Sequence, residues 1–183
     1  MAELYDTLNK LRYAFTANPT VRGDIVSTQP HPSERRLVLR LLDYWRQVCR
    51  DRTWPAPDDF YPAAIPDLWD YCFLIDLAGG ANGEPTFRYV GDYHKRMYGE
   101  DVAGVPLSKA DPATLLAQSA SYLSDVVRRG VPVTCGGEFT DRRGYHILYR
   151  SIMLPLSLDN RTIEVILGGA NCRETAPGLG ASE

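Results

Sequence analysis

The sequence predicts an α+β fold, a five-stranded antiparallel sheet with helices on one face and further helices at the N-terminus. Three observations carry this. A helix signal over residues 111–130 hands over to strand signals at 133–140, 145–156 and 162–170, whose short connections suit an antiparallel meander. Two more strand signals, 71–77 and 86–90, flank the Ala-Gly-Gly-Ala-Asn-Gly turn at 78–83 and read as a hairpin. In the strand from Tyr145, both alternating sets are large: Tyr145, Ile147, Tyr149 and Met153 against Leu148, Ile152 and Leu154. A sheet with one wet face alternates apolar and polar residues, so here both faces need a cover.

Taken in chain order, Leu4, Leu8, Leu11 and Phe15 recur at 4-3-4 spacing and predict a short amphipathic helix over 2–16, too short for a coiled coil. Asn18-Pro19 stops it, and residues 17–32 read as a linker. Ser33 caps a second helix over 34–51, with Leu37, Leu41, Leu42, Trp45, Val48 and Cys49 as its apolar stripe. Its other face carries Arg35, Arg36, Arg40, Arg46 and Arg50 and is expected to be solvated. Pro55, Pro57, Pro62 and Pro66 break the next segment down to one helical turn near 65–69. Residues 92–110, polar and punctuated by glycine, suit short helices. Asp111 then serves as N-cap and Pro112 as first residue of a long helix. Leu115, Ser119, Tyr122 and Val126 line that helix, and Arg128, Arg129 and Gly130 close it. The expected organisation is a helix and linker over 1–32, one domain over 33–172, and a flexible tail over 173–183.

Composition narrows the function. A formal net charge of −3 and a pI near 5.6 argue against a nucleic-acid binder. No apolar run approaches the ~18–20 residues of a membrane span, and no signal-peptide pattern opens the chain. Cys49, Cys72, Cys135 and Cys172 are scattered, with no C-x-x-C pair, and read as reduced thiols of a cytoplasmic protein. Enzyme motifs are missing: no G-x-x-x-x-G-K-[ST] phosphate loop, H-E-x-x-H metal helix or G-x-S-x-G elbow occurs. The chain is therefore expected not to be an enzyme.

Three stretches carry a family resemblance. The first is Leu41-Leu42-Asp43-Tyr44-Trp45-Arg46 with Pro55, Asp58, Phe60 and Ile65-Pro66, leading into Phe73-Leu74-Ile75-Asp76. The second is Phe87-Arg88-Tyr89-Val90-Gly91, then Tyr98-Gly99-Glu100-Asp101 and Gly104. The third is Tyr149-Arg150-Ser151 with Leu154-Pro155-Leu156-Ser157, then Ile163 to Gly168. In this order the chain resembles a bacterial subfamily of PAS domains over roughly residues 37–170. The resemblance implies a cytoplasmic sensor or adaptor in bacterial signal transduction, homodimeric, with a pocket between the sheet and its helices. With only residues 173–183 after the last strand, output is expected through contacts with a signalling partner or a second copy.

Tyr93, His94, Met97, Tyr98, Tyr122, Tyr149 and Met153 supply the mixture of apolar and placed polar groups that binds a small organic ligand. The same side chains could equally fill the core of a pure protein-interaction module. A haem-based gas or redox sensor is the other alternative, with His94 or Met97 as iron ligand. Residues 112–129, where PAS haem sensors carry their histidine, contain none. A flavin photosensor would want a cysteine within 92–110, which also has none. No cofactor and no metal site are specified. Leu37, Leu41, Trp45 and Val48 are expected to form the dimer interface by packing on the outer face of the sheet.

Overall fold

The structure is a computed structural model and describes residues 32–99 and 101–175. The helix expected over 2–16, all but the last residue of the linker, and the tail from residue 176 lie outside the described residues. The first helix, α1 (Pro32–Cys49), is followed by short 3-10 turns at Pro57–Asp59 and Pro62–Ala64 and by the single turn α2 (Pro66–Trp69). Then come β1 (Cys72–Asp76), β2 (Thr86–Val90), α3 (Asp92–Tyr98) and a 3-10 turn at Leu107–Lys109. The chain continues as α4 (Leu115–Ala120), α5 (Leu123–Arg129), β3 (Val133–Thr140), β4 (His146–Leu156) and β5 (Val165–Thr175). The strands form one antiparallel five-stranded sheet in the order β2–β1–β5–β4–β3.

Alternation along the strands sorts the core into two layers. Phe73, Ile75, Phe87, Tyr149, Met153, Ile166 and Ala170 face α4, α5 and the 3-10 turn at Leu107. Cys72, Ile152, Leu154, Leu156, Val165 and Leu167 face the other way, onto α1 and the proline-rich segment after it. The two-sided apolar pattern of β4 thus has a cover on each side.

That second layer takes in three of the four side chains expected at the dimer interface. Leu37, Leu41 and Trp45 are buried against the sheet of their own chain, and the indole N–H of Trp45 donates to the Pro155 carbonyl at 3.0 Å. Their burial is worth about 1.5–3 kcal/mol each and is obtained within one chain. Val48 is half-buried beside a surface cleft of ≈ 320 Å³ between the end of α1 and Tyr61. The apolar stripe therefore gives no reason for a second subunit.

The expected long helix is broken in two. Asp111 does not cap it; its carboxylate accepts from the Ala113 N–H, and Thr114 is the cap, its hydroxyl accepting from the Ala117 N–H at 3.3 Å. At the break, the Ser121 hydroxyl donates back to the Gln118 carbonyl at 2.7 Å, competing with helix propagation. Gly130, at φ 64°, ends α5 in the left-handed conformation that glycine adopts without strain. β5 begins and ends later than expected. Asp159 holds residues 157–162 in a turn by accepting from the N–H groups of Arg161 and Thr162, and the strand then runs on to pair Thr175 with His146.

Candidate functional site

The inner face of the sheet, with α3, α4 and α5 over it, gathers most of the expected ligand residues. His94 is fixed by α3, whose first turn places it under the sheet edge. It is 1% exposed, and its ring meets Phe73 edge-on. Nε2–H donates to the Tyr71 carbonyl at 2.8 Å, which assigns the proton to Nε2 and leaves Nδ1 as an acceptor. Nδ1 is buried and has no hydrogen-bond partner among the described residues. Burial pushes the His94 pKa down to about 4, against the opposing pull of the Tyr71 carbonyl. The imidazole is neutral at physiological pH.

Tyr93 stacks against Tyr71 with ring centroids 4.5 Å apart, and its hydroxyl lies 3.3 Å from the Cys172 sulfur. Tyr122 stands at the break between α4 and α5, and its hydroxyl meets the Ser151 hydroxyl at 3.0 Å in the buried centre of β4. Tyr149 is buried two residues away on the same face, with the Phe139 ring edge-on to it at 6.0 Å. Burial raises the pKa of all three phenols, so each remains protonated. Met153 is fully buried in the same layer, whereas Met97 is 37% exposed at the rim. Tyr98 closes α3, and its side chain lies outside the described residues.

What these groups enclose is small. Beside His94 and Met97 lies a cavity of ≈ 30 Å³, lined also by Thr114, Leu116, Phe139, Asp141 and Ile147. That is room for one or two water molecules, against the ~300–1,000 Å³ of typical ligand sites. Tyr122, Tyr149 and Met153 are packed side chains of the core rather than its lining. Ser151, Phe139 and Asp141 were not anticipated from the sequence. Ser151 carries a legible signal, as a lone small hydroxyl within the large-residue run of β4. Phe139 and Asp141 carry none, because they reach the cavity from the end of β3 and from the turn that follows it. There Asp141 accepts from the N–H groups of Arg143 and Tyr145.

The residues present do not fit haem. The Nδ1 of His94 is buried, the cavity His94 lines is water-sized, Nε2 is committed to the backbone, and α4 and α5 carry no histidine. Among the described residues, no cluster of three or more His, Cys, Asp or Glu stands close enough to hold a metal.

An antiparallel sheet in the order 2-1-5-4-3, with short helices between β2 and β3, is the arrangement of one sensory family. The family described as PAS domain matches residues 31–170. The chain belongs to the PAS-domain family. Among solved structures it is similar to the LOV domain of a blue-light activated histidine kinase from Erythrobacter litoralis (16% identity, 57% of this chain and 95% of that one, TM-score 0.41). It is also similar to the PAS domain of BvgS from Bordetella pertussis (17%, 57% and 77%, 0.42). A third is the PAS domain of an HTR-like protein from Haloarcula marismortui (15%, 61% and 90%, 0.40). No curated protein matches the chain. PAS domains are typical sensory modules of signal transduction, and this PAS domain carries in α1 a cover for the sheet face opposite its cavity. None of its described helices is long and apolar enough to cross a membrane.

Proposed function

We propose that this PAS domain is a signalling adaptor of the bacterial cytoplasm that works through protein contacts, with an interior filled by its own side chains. One observation carries the reading. The cavity beside His94 measures ≈ 30 Å³, while Phe73, Phe87, Leu116, Leu123 and Met153 are fully buried in the layer between sheet and helices. An organic ligand of ordinary size would have to displace several of these, each costing about 1.5–3 kcal/mol of burial. The test is extraction of natively purified protein, followed by mass spectrometry of the extract and a visible absorbance spectrum. The expected result is a colourless protein without a Soret band, even after growth with added haem, and no stoichiometric small molecule. A stoichiometric organic compound, or a haem band lost on His94→Ala, would overturn the proposal.

A second reading, sensing of a small polar molecule, is favoured by the unpartnered Nδ1 of His94 beside the cavity. It requires that a small hydrogen-bond donor such as formamide raise the Tm of the wild type and not that of His94→Phe.

A further inference from the structure

The two edges of the sheet are built differently. β2 is five residues long, pairs with β1 through a register shift between Leu74 and Ile75, and exposes Arg88. Its free side is also covered: the Phe87 N–H donates to the Val105 carbonyl and the Phe87 carbonyl accepts from Gly104, at 3.1 and 2.7 Å. β3 has none of these protections. It runs for eight residues in unbroken register with β4 and contains no proline, lysine or arginine. Beyond β4, its backbone meets only its own Cys135 thiol among the described residues. A long, unbroken edge of this kind is a template for another strand.

The outer face of that edge carries an unsatisfied charge. Gly136 pairs with Arg150 on β4, and a β-carbon on Gly136 would stand 3.4 Å from the Arg150 γ-carbon. The arginine stem thus lies against a bare backbone. Arg150 is half-buried and has no ion-pair partner among the described residues. Two residues on, Glu138 is exposed on the same face, and among the described residues its carboxylate meets only His146 Nε2, at 3.2 Å.

These positions select one self-pairing. An antiparallel copy related by a two-fold axis perpendicular to the sheet places residues of the same face opposite one another. Centred on Gly136, it would bring two Arg150 side chains together over facing glycines. Centred on Glu138, it would set carboxylate against carboxylate. Centred on Gly137, it sets Glu138 of each copy opposite Gly136 of the other, with no side chain between it and the other copy's Arg150. Thr134 then faces Thr140, a favourable cross-strand pair.

We propose that two copies of this chain associate by antiparallel pairing of their β3 edges about Gly137, with reciprocal Glu138–Arg150 ion pairs across the join. The occupant of the edge is a second copy, because the charge that Arg150 lacks is supplied by the same strand.

Sedimentation of the full chain tests this by charge exchange. A join of two eight-residue strands is small against the ~1,200 Å² of stable complexes, so the dimer is expected in the range of about 10–500 μM. Arg150→Glu and Glu138→Arg should each raise the dimer dissociation constant at least ~10-fold, and the double variant should return it to within about threefold of wild type. Glu138 is exposed on an edge strand, so Glu138→Arg keeps the test valid if Arg150→Glu fails to fold. Wild type that stays monomeric throughout, single variants that dimerise as wild type, or a folded double variant without recovery would each overturn the proposal. The adaptor reading is tested separately by extraction: a monomer with an empty extract refutes the dimer alone, and a ligand-bearing dimer refutes the filled interior alone.

Discussion

The δ1 methyl of Leu41 stands 2.2 Å from the point a β-carbon on Gly169 would occupy, so α1 rests directly on the backbone of β5. On the opposite face of the same strand, the Phe73 ring stands 2.1 Å from the β-carbon position of Gly168. Successive residues of a strand face opposite sides, so the pair Gly168-Gly169 bares the centre of the sheet on both. One glycine admits the helix, and the other admits the aromatic ring that fills the interior.

Gly169→Ala is therefore expected to destabilise the fold by about 1–3 kcal/mol, and Gly168→Ala by at least as much, because the Phe73 ring is fully buried and cannot yield. Urea unfolding measures both. Combining Leu41→Ala with Gly169→Ala should cost less than the sum of the two, since the first removes the methyl that the second strikes. Strict additivity would mean that the helix does not press on this strand.

Leu41→Asp discriminates where α1 belongs. Leu41 is 0% exposed within a single chain, so the substitution buries an unpaired carboxylate. The cost is several kcal/mol against a total stability of roughly 5–15 kcal/mol, and loss of the folded circular dichroism signal is expected. A variant that keeps the native signal and Tm would show that the helix is not seated on its own sheet.

Much of this architecture is legible in the residues. The bounds of β2 and β3 coincide with the expected 86–90 and 133–140, because Gly, Pro and Asn punctuate them on either side. The helix break at Ser121 is not legible. Its periodicity continues through the break, and what turns Tyr122 inward is Ser151, 29 residues away in sequence. The polar end of β5, Arg173-Glu174-Thr175, reads as tail because it carries no apolar side chain, although it pairs with Leu148, Ile147 and His146 on β4. The same limit applies to the site. His94, Tyr122, Tyr149 and Met153 are placed inside by element order alone, but how little space they leave depends on packing between distant strands and helices. Burial of the α1 stripe was legible as a need; which sheet meets that need was not.

Tyr122 and Ser151 form a hydroxyl pair that a double-mutant cycle can resolve. Ser151→Ala leaves a buried phenol without its partner and is expected to cost about 1–3 kcal/mol. Tyr122→Phe costs less, roughly 0.5–1.5 kcal/mol, because Ser151 can still turn toward the Cys135 carbonyl 3.5 Å away. The double variant should cost less than the two combined, the deficit being the hydrogen bond itself. Equal single effects that simply add would show that the pair contributes nothing specific.

His94 sets the pH dependence of stability at mildly acid pH. Its folded pKa of about 4 lies below its ordinary value of 6.5, so the unfolded chain takes up the proton first as the pH falls. Above 6.5 the ring is neutral in both states and stability is insensitive to it. Between 6.5 and 4 the unfolded state binds more protons, and stability declines with falling pH at up to ~1.4 kcal/mol per pH unit. Across the window the loss amounts to about 3 kcal/mol. The structural cause is direct: Nε2–H already donates to the Tyr71 carbonyl, and a proton on Nδ1 would place a full charge on a buried nitrogen that has no hydrogen-bond partner among the described residues. Asp67, Asp101 and Asp159, whose ion pairs and hydrogen bonds hold their carboxyls below the usual range, lose their contribution only at lower pH. His94→Phe should therefore flatten the stability profile between pH 6.5 and 4 while leaving the steeper acid limb in place. Urea midpoints measured at half-unit intervals would show this, and a variant with the wild-type slope in that window would assign the slope to another group.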